Sequence, residues 1–336
     1  MTSGDWDGVR LHVVTGKGGT GKTTVAAALA MALATDGKRV LLVEVEGRQG
    51  ISGVFDVPRL GDDEVQVATG PGGGQVVGLA VDPKAALLEY LQMFYKLGMA
   101  GGMLERFGVI DFATTVAPGL RDVLLIGKVY EAVRRRPSRR GTRSDKLYDA
   151  VVLDAPPTGR VGQFLGVNHA MSGLAKMGPV KNQADSITAM LQSSQTVVHL
   201  VTLLEEMPVQ ETVEAAAELR GLSLPLGAVI VNQEVTPPVG ERTLELLAAD
   251  DFDTEPLATD LTSLGLRVGP RMVRGLTQTG VDLTQRLALQ DRERAALAEL
   301  DLPTYHLPLV PGGMDGGGLL ELTATLTKQL TEGAGV

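Results

Sequence analysis

Short runs rich in Val, Ile and Leu recur along the chain, each followed by a longer stretch of helical periodicity. The runs are LHVVT (11–15), KRVLLVEV (38–45), GQVVGLAV (74–81), DAVVLDAP (149–156), TVVHLVT (196–202), LGAVIVNQ (226–233) and TYHLPLV (304–310). Near-continuous apolar runs, rather than strict alternation with polar residues, belong to strands covered on both faces. Helices between such strands serve as crossovers. The expected fold class is therefore α/β, a doubly wound, mostly parallel sheet.

The helical stretches carry their own punctuation. TVAAALAMALAT (24–35) is apolar and uncharged, yet shorter than the roughly 20 residues of a membrane span, so it reads as a core helix. TVEAAAELRGLSLP predicts a helix ending at Gly221 with Pro225 just beyond. PGGG (71–74) reads as a turn. Residues 84–140, 168–192 and 240–300 are helical in pattern and break the β–α alternation. They are expected to be helical insertions forming a small helical subdomain on one domain spanning 10–325. Residues 1–9 and 326–336 then read as N- and C-terminal tails.

Charge narrows the partners. A net charge of −9 argues against nucleic acid, because phosphate binding rewards clustered Lys and Arg. The basic run RRRPSRRGTR (134–143) reads as a solvated loop. Cysteine is absent, which removes disulfides, thiolate catalysis and Cys-type zinc or metalloid sites, and fits a cytoplasmic chain. MTSGDWDGVR has no apolar core of a signal peptide. His12, His169, His199 and His306 lack metal-ligand spacing and read as structural.

The chemistry starts at GKGGTGKT (16–23), between a strand and a helix, which satisfies G-x-x-x-x-G-K-[ST]. Glycines allow loop N–H groups to turn toward phosphates, and the helix N-terminus adds positive potential. Gly16, Lys17, Gly18, Gly19, Thr20, Gly21, Lys22, Thr23 and Thr24 are the expected nucleotide-binding residues. Lys22 suits the β- and γ-phosphates, and the Thr23 hydroxyl suits Mg²⁺. Lys17 is the odd member. Gly16 and Gly18 direct its part of the loop outward, where a cation can act on a second subunit. Asp154 ends an apolar strand and is placed to hold Mg²⁺ through water. Glu44 and Glu46 lie two apart at another strand end, so only one of them can face the nucleotide as the chain leaves the sheet.

KGGTGKTT resembles the deviant Walker A loop of the dimer-forming ATPases that include the chromosome-partitioning, division-site and arsenite-pump families. DAPPTGR (154–160) looks like the DTAPTGH switch of the arsenite-pump and guided-entry ATPases, with Arg160 in place of His. VTLLEEMPVQETVEAAAEL is similar to another segment of that family, keeping Glu205 and Glu211. LGAVIVNQ resembles the strand whose Asn, here Asn232, reads adenine. HLPLVPGG, with Pro311, resembles the adenine-side loop. VDPKAALLEYL and APGLRDVLLIGKVYE match helical segments of the family. The resemblance covers about 10–325 and weakens over 168–195 and 240–285.

It implies a P-loop NTPase fold, ATP or ADP with Mg²⁺, and hydrolysis of ATP. Lys17 would cross a dimer interface to the partner's nucleotide. Glu46 would orient the attacking water and meet the metal through water, standing where the family usually has Asp. The partner subunit would be a second copy or, as in the cysteine-free paired members of high-GC bacteria, a paralogue. A hydrophobic protein client or a membrane partner is implied, handled by a cytoplasmic chain transiently at the membrane. Met93, Met99, Met103, Met171, Met177 and Met190 suit either an apolar client groove or ordinary core packing. Two alternatives stand beside this: a switch binding a soluble protein, and a weakly active paralogue supporting a catalytic subunit.

Overall fold

A computed structural model describes residues 6, 8–82, 85–86, 118–135, 147–166, 179–314 and 316–333. The strands are β1 (Leu11–Gly16), β2 (Arg39–Glu44), β3 (Val65–Thr69), β4 (Gln75–Ala80), β5 (Ala150–Asp154), β6 (Thr196–Thr202), β7 (Leu226–Glu234) and β8 (Thr304–Pro308). They form one sheet in the order β3-β4-β2-β5-β1-β6-β7-β8. Every pairing is parallel except β3 with β4.

The sequence pattern misses β3. In VQVAT only Val67 is buried and Val65 is 46% exposed, as befits an edge strand with no apolar run to mark it.

Two helical layers cover the sheet. α1 (Lys22–Leu33) and α10 (Gly316–Glu332) pack on one face. α3 (Pro118–Arg134), α4 (Thr158–Leu165), α5 (Pro179–Leu191) and α6 (Glu206–Gly221) pack on the other. α2 (Gly50–Phe55) follows β2. Strand pleating divides the core: Leu11, Val13, Leu41 and Val43 face the α3–α6 layer, while Val14, Val40 and Leu42 face α1. α1 is buried nearly all round, which explains why its sequence has no polar stripe. α6 ends at Gly221 as its sequence predicts.

Residues 241–298 form α7 (Glu241–Ala248), α8 (Thr254–Ser263) and the long α9 (Pro270–Ala298). α8 has no buried residue, and Leu264, Leu266, Met272 and Leu276 are exposed around it.

Both presumed tails are tied down in part. Helix α10 continues to Glu332 with Leu326 fully buried, so the chain past 325 is not all tail. Trp6 packs its ring against His12, His199 and Tyr305. His169, Met93, Met99, Met103, Met171, Met177 and residues 136–143 of the basic run lie outside the described residues. Met190 lies inside them and belongs to the core. Among the described residues, no helix is long and apolar enough to cross a membrane.

Candidate active site

Parallel strands end together, so the loops after β1, β2, β5, β7 and β8 gather at one edge of the sheet. The order places β1 between β5 and β6 at its centre, and the glycine loop emerges there. Gly21 begins α1 at φ 84°, a left-handed conformation that disfavours side chains. A Cβ on it would also stand 2.4 Å from Asn232 Nδ2. That amide comes from β7 and donates to Thr20 O at 2.9 Å, so Asn232 props the loop. Thr20 Oγ1 donates to Lys17 O at 2.9 Å and tightens the turn. Gly18 and Gly19 are exposed and Thr24 is half-buried.

The two lysines of the loop go different ways. Lys22 is 8% exposed, and its Nζ lies 3.5 Å from Lys17 O. Burial lowers its pKa, while Asp154 and Glu46 pull it back up. Lys17 turns away from that centre. Its Nζ pairs with Glu211 Oε1 of α6 at 2.8 Å, and Glu211 Oε2 accepts from Thr158 Oγ1 at 3.2 Å. Lys17, expected to point outward to a second subunit, is thus paired with a carboxylate of its own chain.

Thr23 and Asp154 meet directly: Thr23 Oγ1 donates to Asp154 Oδ2 at 2.6 Å. Burial pushes the Asp154 carboxyl up to about 6; the Thr23 bond and Lys22 oppose the shift, and Glu44 and Glu46 reinforce it. Two hard oxygen donors, one a buried carboxylate short of positive charge, fit a cation such as Mg²⁺.

The structure separates Glu44 from Glu46. Glu44 sits opposite Asp154 in the β2–β5 register and is buried. Its carboxylate accepts from Gln49 N at 2.5 Å and Ile51 N at 3.2 Å, capping the loop into α2. Glu46 lies past the strand end. Arg48 Nε approaches its Oε2 at 3.5 Å, and Arg160 Nη1 approaches its Oε1 at 3.8 Å. Thr15 Oγ1 donates to Pro156 O at 2.7 Å, tying the strand under the glycine loop to the segment after β5. Pro311 is exposed in the turn after β8, beside the end of β7 that carries Asn232.

Nothing in the sequence pattern singles out Thr15 or Arg48, whereas Thr158 lies within the DAPPTGR segment. Glu211 was visible only through the family segment, with nothing local to pair it with Lys17.

Residues 9–193 match the model of the anion-transporting ATPase family. ATPase BagA of Mycobacterium tuberculosis is 48% identical over 322 residues, covering 96% of this chain and 94% of its own. ATPase GET3 of Kluyveromyces lactis is 26% identical over 254 residues, 66% of this chain and 70% of its own. The arsenical pump-driving ATPase of Acidiphilium multivorum is 25% identical over 335 residues, 91% of this chain and 53% of its own. The family match begins just before β1 and runs past β5, so it takes in the glycine loop, Glu46 and the Thr23–Asp154 pair together. A glycine loop built for phosphates, a buried lysine and a hydroxyl–carboxylate pair at the head of a parallel sheet thus have one common setting: this chain belongs to the anion-transporting ATPase family and is an ATP hydrolase.

Proposed function

We propose that the chain is a Mg²⁺-dependent ATPase that works as a pair of subunits, each supplying Lys17 to the other's reaction centre. The observation that carries this is the divergence of the two loop lysines. Lys22 faces Asp154 and Glu46 inside its own site, whereas Lys17 leaves that site for Glu211. A second cation directed away from its own phosphates has a use if another nucleotide lies opposite it.

In this reading Lys22 and the N–H groups of residues 16–24 hold the phosphates of ATP. Thr23 and Asp154 hold Mg²⁺, Asp154 and Glu46 through water. Mg²⁺ there would neutralise charge building on the β- and γ-oxygens. Glu46 orients the attacking water, and Asn232 and Pro311 border the adenine. Lys17 of the partner subunit adds charge where the leaving phosphates gain it, as arginine fingers do, worth about 10³–10⁵ in rate. Hydrolysis then needs no covalent step, only positioning and electrostatics.

Association has a cost that fits the contacts seen. Lys17 must leave Glu211, and Glu211 also holds Thr158 in the segment after β5. Pairing of subunits is thereby linked to rearrangement around α4 and α6. The exposed apolar residues about α8 and α9 make those helices the natural place for a hydrophobic protein client or membrane partner. The subunits are two copies of this chain or this chain with a paralogue.

Molar mass by light scattering tests the pairing. With ADP and aluminium fluoride the wild-type chain should run at twice its monomer mass, and Lys17→Ala should bind fluorescent ATP while failing to hydrolyse it. Full turnover by Lys17→Ala would overturn the reading, and a wild-type monomer in every nucleotide state would rule out a pair of two copies of this chain.

A further inference from the structure

The carboxylate proposed to orient the water does not stand alone. Its neighbour Arg48 lies on the same loop with a side chain 67% exposed, so this contact ties Glu46 to no other element of the fold. Arg160 comes from elsewhere. It belongs to α4, just after β5, and its Nη1 lies 3.8 Å from Glu46 Oε1. Its other terminal nitrogen, Nη2, lies 3.9 Å from Asp122 Oδ1 on α3.

Asp122 is an unusual counterpart. Its side chain is 7% exposed, among residues of the α3–α6 core layer. Burial raises its pKa, with Arg160 and then Arg121 opposing. Among the described residues, Arg160 is the cation within ion-pair distance of it. A planar guanidinium can address two carboxylates with two separate nitrogens, which a lysine cannot do. Both gaps exceed a direct hydrogen bond, so the link is electrostatic.

We propose that Arg160 is a positioning residue for ATP hydrolysis: it fixes the Glu46 carboxylate at the reaction centre and makes that position depend on helix α3 through Asp122. The inference rests on the reading of Glu46 as the water-orienting group. Arg160 is half-exposed, so its two contacts contribute little to stability. Their effect is on rate, because a misplaced catalytic group is costly even at small displacements.

Steady-state ATPase kinetics with thermal melting as a control test it. Arg160→Ala should lower kcat about tenfold, with KM for ATP within about twofold and an unchanged melting temperature. Arg160→Lys should recover only part of the loss. Asp122→Asn, near-isosteric and uncharged, should lower kcat in the same direction, and the double variant should be no slower than Arg160→Ala, because both act through one link. Wild-type kcat in Arg160→Ala overturns the proposal, as do additive losses in the double variant. Glu46→Gln separates the two levels. If it hydrolyses ATP at the wild-type rate, the reading of Glu46 fails; if it is inactive while Arg160→Ala is normal, only the role of Arg160 fails.

Discussion

His12 on β1 and His199 on β6 are fully buried neighbours, with Nδ1 of the first 3.1 Å from Nε2 of the second. The ring of Trp6 lies 4.5 Å from that of His199. Burial holds both imidazoles below their ordinary 6.5, and His12 depresses His199 further. The unfolded chain regains the ordinary value and takes up protons that the folded chain refuses. The contribution to stability is therefore complete above pH 6.5 and is lost as the pH falls below it. Between about pH 7.5 and about pH 5.5 each neutral buried histidine loses on the order of 1 kcal/mol, and two lose roughly 2–3 kcal/mol.

Asp154 acts with the opposite sign. Its carboxyl, raised from 3.8 to about 6, binds a proton more readily when folded, so acidification over that range adds stability. That gain, on the order of 1 kcal/mol or less, offsets only part of the histidine loss. Urea denaturation followed by circular dichroism, without nucleotide, gives the stability at each pH. In His12→Gln the acid loss should shrink by on the order of 1 kcal/mol, because one histidine remains. Identical pH dependence in the two proteins would show that the pair is not held neutral.

Other perturbations separate stability from chemistry. Asp154→Asn should cut Mg²⁺-dependent phosphate release by at least about 10²-fold while leaving urea stability at neutral pH equal or higher, since it removes a buried carboxylate. Gly21→Ala, at φ 84° and against Asn232, should cost about 1–3 kcal/mol in urea denaturation. Gly18→Ala, with nothing within 4 Å of its Cβ, should leave stability unchanged. Leu153→Ala, at the centre of the fully buried β5, should cost about 2–5 kcal/mol by the same assay.

Much of this was legible because it is local. A buried parallel strand is written in consecutive residues, so seven of the eight strands among the described residues stand out as apolar runs, and β3 does not because only one of its residues is buried. The glycine loop and Asp154 were also readable, each carried by one short segment. Alternation alone did not choose between Glu44 and Glu46, and only the family resemblance pointed to Glu46; backbone N–H groups of residues 49 and 51 claim Glu44. In the last helix, Leu319, Leu322 and Leu326 carry helical spacing that extends the fold beyond residue 325. Pairings between distant elements left no trace in the pattern. Lys17 with Glu211 is one, and Arg160 with Asp122 another. Glu46 and Arg160, on separate segments, likewise face each other at 3.8 Å.

Whether Lys17 serves its own nucleotide or its neighbour's is decided most directly by mixing two inactive variants. Lys17→Ala retains an intact pocket but no crossing lysine; Asp154→Asn retains the lysine but has a dead pocket. Each should be inactive alone. Mixed in equal amounts and allowed to exchange, they should regain about a quarter of wild-type phosphate release, since half of random pairs are mixed and each holds one complete site. A mixture as inactive as its components would contradict the crossing lysine, and so would full activity of Lys17→Ala by itself.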